Sequence, residues 1–158
     1  MKKIVWIAIS IVILSIVGCV LLLICKNKDN RKMIESAEGE KIEMEKKINL
    51  VINGKKFSAT LEDNETAREL FSRLPLTIEM EDLNGNEKYY YLDESLPTDA
   101  TNVGRIEKGD IMLFGNDCLV VFYKSFDTPY AYTRIGKIED VNHLEEQFGQ
   151  GSVKITFE

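Results

Sequence analysis

Residues Ile4 to Cys25 form an apolar run of twenty-two residues broken only by Ser10, Ser15 and Gly18. Lys2 and Lys3 precede it, and Lys26, Lys28, Arg31 and Lys32 lie beyond it. As a helix rising about 1.5 Å per residue, such a run spans about 33 Å, close to the roughly 30 Å hydrocarbon core of a bilayer. It leaves no polar face for water, so a membrane is its natural solvent. Two fates fit it. One is a retained transmembrane helix. The other is a lipoprotein-type signal, since Ile16, Val17, Gly18 and Cys19 read as a lipobox whose cysteine would be lipidated. Val20 to Cys25 continue the apolar run where a cleaved signal usually gives way to polar sequence. Positive charge flanks both ends, so the positive-inside rule does not orient the segment sharply. Its N-terminal position and the lipobox-like residues favour a cell-membrane protein with one N-terminal anchor and an extracytoplasmic domain.

Residues 26–45, rich in Lys, Glu, Asn, Asp and Ser, contain no recurring apolar face and read as a polar tether. Residues 46–158 have the length of one domain. Charge divides unevenly. Of 20 Lys and Arg, 6 lie in residues 1–32 beside a single acid, leaving residues 33–158 with a net charge of −11. Such a domain lacks the clustered Lys and Arg from which affinity for phosphate backbones arises, which argues against nucleic acid as a partner. Cys118 is the only cysteine of the domain, so neither an internal disulfide nor a cysteine zinc site is expected. It opens the apolar stretch CLVVFY, where a buried thiol is inert.

The domain reads as mainly β. Lys47 to Ile52 and Lys56 to Glu62 flank Asn53 and Gly54, a pair tolerant of positive φ and suited to a two-residue hairpin. A helix comes next, capped by Asp63 or Asn64, with Ala67, Leu70, Phe71 and Leu74 on one face and Pro75 stopping it. Leu76 to Asp82 alternates and returns as Lys88 to Leu92 after the turn LNGNE. Gly109 to Gly115 and Cys118 to Tyr123 form a third hairpin, and CLVVFY is apolar enough for a central strand covered on both faces. Tyr130 to Ile138 is a further strand, Val141 to Phe148 a short helix, and Ser152 to Phe157 the last strand. About eight strands and two short helices in this length predict a closed barrel.

The stretches LPLTIEMEDLNGNEKYYYL, GRIEKGDIMLFGNDCLVVFY and YTRIGKIED, in that order, resemble the small bacterial cyclophilin-like domain family, with similarity from about Ile48 to Phe157. The resemblance implies a closed cyclophilin-like β-barrel, commonly exported or anchored, and fixes no activity. Cyclophilins pair a catalytic arginine with a Phe-His-Arg motif beside a pocket of aromatic, Met, Trp and His side chains. This chain has no Phe-His-Arg; its only Trp is Trp6 in the apolar run and its only His is His143.

Prolyl isomerisation requires an apolar pocket and a donor to the proline nitrogen as amide resonance is lost, against a barrier of about 18–20 kcal/mol. Arg134, on a strand with Tyr130 and Tyr132, and Arg105 are the guanidinium candidates, and both equally suit a solvated surface. Phe57, Met80, Met112, Phe114 and Phe122 suit a pocket, and equally suit the filling of a barrel. The candidate peptide-binding set is Arg134, Tyr130, Tyr132, Phe57, Met112 and Phe114. Asp82, Asn84, Asn86 and Asp93 mimic part of a calcium loop, but Glu87 stands where the sharp turn needs Gly and no Glu closes it, so no metal is expected. Glu79 and Glu81 share one strand face and read as a solvent face, and His143 among Asp140, Glu145 and Glu146 as a surface residue. No Gly-rich phosphate loop, Ser-His-Asp pattern or CxxC pair points to a cofactor, and none is expected. The function expected is an extracytoplasmic module binding a peptide or protein segment, with a weak prolyl isomerase or a small-ligand barrel as alternatives.

Overall fold

The computed structural model describes residues 47–158. The apolar run, its lipobox-like Cys19 and the tether lie outside the described residues. Among those described, no helix is long and apolar enough to cross a membrane.

The chain opens with a hairpin of β1 (Lys47–Ile52) and β2 (Lys55–Leu61). Asn53 and Gly54 turn it with φ of 50° and 79°, so Ile52 pairs directly with Lys55. Helix α1 (Glu65–Ser72) comes next. Its cap is Asn64, whose side chain accepts from the Ala67 amide at 2.8 Å while its amide donates to the Arg134 carbonyl oxygen at 2.7 Å. One residue thereby closes the helix and fastens it to a strand. Strands β3 (Leu76–Leu83) and β4 (Glu87–Tyr91) form the second hairpin, with Asn84 and Gly85 at positive φ. The chain continues through β5 (Thr101–Asn102), β6 (Arg105–Ile106), β7 (Asp110–Phe114), β8 (Cys118–Phe122), β9 (Phe126–Asp127), β10 (Ala131–Ile138), α2 (Leu144–Phe148) and β11 (Val153–Phe157). The short β5, β6 and β9 are not legible from periodicity, since two residues carry no alternation.

Eight strands run in the order β2-β1-β11-β3-β4-β8-β7-β10, and β10 pairs again with β2 to close a barrel. At the seam Gly136 faces Leu61. A Cβ on Gly136 would stand 2.6 Å from the Thr60 carbonyl oxygen, so closure at this distance requires glycine.

Two apolar layers result. Inside the barrel, Leu50, Ile52, Met80, Leu119, Val121 and Ile155 pack with Ala67 and Leu70 of α1 and Leu144 and Phe148 of α2. Outside it, Ile106, Met112, Cys118, Val120, Phe122 and Tyr132 form a second cluster. Strand β8 is buried at all five residues because it contributes alternately to both layers. The β6–β9 ribbon covers part of the outer layer, with the Phe122 and Phe126 rings 5.8 Å apart. Beyond the ribbon that layer opens to solvent.

Candidate functional site

Where the ribbon ends, a depression of about 450 Å³ lies on the outer face, lined by Leu83, Asn84, Glu87, Tyr89, Tyr91, Phe114, Cys118, Val120, Tyr130 and Tyr132. Strand register builds it. Glu87 pairs with Leu83 and Phe122, Tyr89 with Val120, Tyr91 with Cys118, and Cys118 in turn with Phe114. Residues directly opposite one another share a face, so alternate positions of β4, β8 and β7 supply one continuous wall. Its rings meet edge-on or tilted, with centroids 5.8 Å apart for Tyr89 and Tyr91, 6.0 Å for Phe114 and Tyr130, and 5.5 Å for Phe114 and Tyr132. A second hollow, lined by Glu79, Glu81, Tyr89, Tyr90 and Tyr91, shares Tyr89 and Tyr91 with the first. The Tyr89 hydroxyl donates to Glu81 Oε2 at 2.7 Å at their junction.

Glu87 is the charged group in the wall. It is 8% exposed, and among the described residues nothing donates to its carboxylate. Burial, reinforced by the negative charge of Asp82, pushes its carboxyl up to about 7. Burial likewise pushes Cys118 up to about 11 and Tyr132 up to about 12, so both are neutral at physiological pH. Cys118 is thus an unreactive thiol in the wall.

Lys88, one residue on, projects to the opposite side of the strand and is fully buried. Its ammonium donates to Asp82 Oδ2 at 2.7 Å and to the carbonyl oxygens of Gly151 and Gly149 at 2.6 and 3.2 Å. The Tyr123 hydroxyl donates to the same Asp82 oxygen. Burial pushes the Asp82 carboxyl up, and the bonds from Lys88, Tyr123 and the Gly85 amide, with the Lys88 charge, bring it below its ordinary value. Asp82, first residue of the calcium-like sequence, is therefore committed to Lys88. Among the described residues no group of three or more His, Cys, Asp and Glu could hold a metal ion.

Of the residues singled out in the sequence, Tyr130, Tyr132 and Phe114 come together in the depression. Met112 is buried in the layer that contains Val120 and Tyr132. Phe57 lies inside the barrel, across the wall from the depression, with Lys55 over its ring at 5.1 Å. Arg134 is outside the lining and stands 3.7 Å from Asp110, which Lys137 also approaches at 3.2 Å. Arg105 is held by Glu107 and Asp127, each at 2.8 Å. Sequence reasoning missed Leu83, Glu87, Tyr89 and Tyr91. The signal for the tyrosines is present in KYYY, where alternate positions have to share a face, but the face itself is not marked.

A closed eight-stranded β-barrel with two helices and a solvent-open aromatic face outside its wall defines the class. The model of the cyclophilin-like family matches residues 50–158, and the chain belongs to that family. No curated protein and no solved structure matches it.

Proposed function

We propose that this protein is a membrane-tethered, extracytoplasmic binding module that takes an extended peptide or protein segment in the outer depression. One observation carries the reading. Leu83, Tyr91, Phe114 and Tyr130, exposed at 43, 60, 42 and 60%, are the exposed large hydrophobic side chains among the described residues, and all four line the same depression. Apolar side chains scattered singly over a surface need no explanation, whereas their convergence marks an interaction site. The adjoining hollow over Tyr89 and Tyr91 lengthens the surface, which suits an extended chain better than a compact molecule. The residues lining the depression include no arginine or lysine, so an isomerase mechanism would lack its guanidinium donor there. The apolar run Ile4 to Cys25 supports the tether.

The test is a titration of the full chain, in uncharged detergent micelles, with a proline-containing peptide library, recording binding and cis/trans exchange together. Saturable binding without faster exchange, weakened at least about tenfold in Tyr91→Ala, is expected. Faster exchange would make the protein an isomerase, and binding of small molecules undisturbed by peptide competition would make it a small-ligand barrel. For the tether, protease cleaves the domain on intact cells if it lies outside, and protection overturns the location. Palmitate incorporation abolished in Cys19→Ser identifies the lipoprotein form; absence of label in the parent leaves the retained helix.

A further inference from the structure

A carboxylate removed from water without a partner is costly, and its persistence in a wall that opens to solvent asks what completes it. Glu87 comes close to that case: the residue is nine-tenths buried, no described residue donates to its carboxylate, and its oxygens meet water only through the depression that it lines. The rings of Tyr89, Tyr91, Phe114, Tyr130 and Tyr132 line the same depression. Aromatic faces are electron-rich and attract organic cations, most strongly where water is displaced. Of the lining residues none is cationic, so nothing in the wall competes for that attraction, and the adjoining hollow adds Glu79 and Glu81. The contrast with Lys88 is informative: the neighbouring buried charge has an opposing carboxylate and two carbonyl oxygens from its own chain. Glu87 has the setting of half an ion pair.

We propose that the depression recognises an organic cation, the ammonium or guanidinium of a lysine or arginine side chain in the bound segment, seated against the tyrosine rings with Glu87 as its counter-charge. The proposal rests on the reading of the depression as a peptide site and names the residue type that site selects. A cation within the depression restores to the Glu87 carboxylate the stabilisation that burial removes. Binding is then linked to the protonation of Glu87. Leu83 of β3 and Phe122 of β8 stand opposite Glu87, and the titratable groups that interact with it are Asp82 of β3, Cys118 of β8, Tyr123 directly after β8 and Tyr132 of β10. Asp82 stays ionised through its bond to Lys88, while Cys118, Tyr123 and Tyr132, all pushed up by burial, stay neutral, so the change in charge at neutral pH belongs to Glu87.

Isothermal titration of the full chain in uncharged detergent micelles, with two capped alanine pentapeptides carrying arginine or norleucine at the centre, tests this. The arginine peptide is expected to bind at least about tenfold more tightly at pH 8. With the carboxyl at about 7, its affinity falls about tenfold between pH 8 and pH 6, while the norleucine peptide shows no such fall. In Glu87→Gln the two peptides bind alike, and in Tyr91→Ala both weaken. Equal affinities in the parent, or an arginine preference that persists unchanged in Glu87→Gln and at pH 6, overturn the cation site and leave the peptide site standing. n-Butylguanidinium alone separates the sources of the cation. If it binds in a Glu87-dependent way and neither peptide does, the cation chemistry holds and the peptide reading falls. If none of the three probes binds, both fall.

Discussion

Glu87 and Lys88 are consecutive in one strand and both are buried, yet their surroundings differ in kind. Lys88 points into the end of the barrel, where Asp82, Gly149 and Gly151 receive its ammonium and the Tyr123 ring lies 5.4 Å away. Glu87 points out through the same wall into a depression lined by rings, a thiol and apolar carbon. The first is a completed polar cluster, whose bonds hold the loop after α2 against β4. The second is left incomplete by the chain itself. The alternation of a strand places an enclosed charge and an open one side by side, so one segment serves the fold on one face and, on the reading proposed above, recognition on the other. A buried charge takes its meaning from its partners, and burial alone does not distinguish structure from site.

The pH dependences of the two should run in opposite directions. Asp82 has its carboxyl lowered in the folded protein, so the stability it contributes is present above its ordinary value of 3.8 and is lost as pH falls through the folded value. Glu87 has its carboxyl raised from 4.5 to about 7, so folding favours its protonated form. Its contribution is fully present below 4.5, declines as pH rises, and is gone once pH passes about 7.

Four substitutions break or sharpen this contrast. Asp82→Ala leaves Lys88 buried without its counter-charge and should cost about 3–5 kcal/mol in urea unfolding; a loss near zero would mean that the cluster is dispensable. Glu87→Gln should act in the other direction, stabilising the ligand-free protein on the order of 3 kcal/mol at pH 8 and very little at pH 4, from a shift of 4.5 to about 7. Equal effects at the two pH values would show that the carboxyl is not raised. Tyr123→Phe removes one bond to a charged acceptor and should cost about 1–2 kcal/mol by the same assay. Tyr91→Ala, on the open side, should change stability by no more than about 0.5 kcal/mol while weakening peptide binding at least about tenfold. Should it unfold the protein instead, Tyr91 would be part of the scaffold.

The sequence shows the hairpins and helices far better than the site, for a physical reason. Asn53 and Gly54 are required by a backbone that few other residues adopt, and Asn64 by the open end of a helix; both constraints are local and visible in single residues. The faces of a strand are not local. In CLVVF both faces are apolar, because one packs inside the barrel and the other in the outer layer, so alternation cannot say which is which. Phe57 and Phe114 look alike in sequence, but the closure of the sheet turns one inward and leaves the other in the depression. Glu87 comes after a polar turn and reads as part of it; the residues that stand opposite it, Leu83 and Phe122, come from other positions along the sheet. Arg134 stands out in the sequence for its neighbours along the chain, whereas the structure sets its guanidinium beside Asp110.

The seam between β10 and β2, held close by Gly136, bears on the kinetics of recognition. Because the sheet returns on itself, the strands that carry Tyr89, Tyr91 and Tyr132 have no free edge about which to hinge, and that part of the wall is in place before anything arrives. Their conformational freedom is given up when the chain folds rather than when a ligand docks. For the peptide segment proposed above, binding would then be the seating of a flexible guest in a rigid host, with the greater part of the ordering entropy falling on the guest. Dissociation, more than association, would then distinguish one such segment from another.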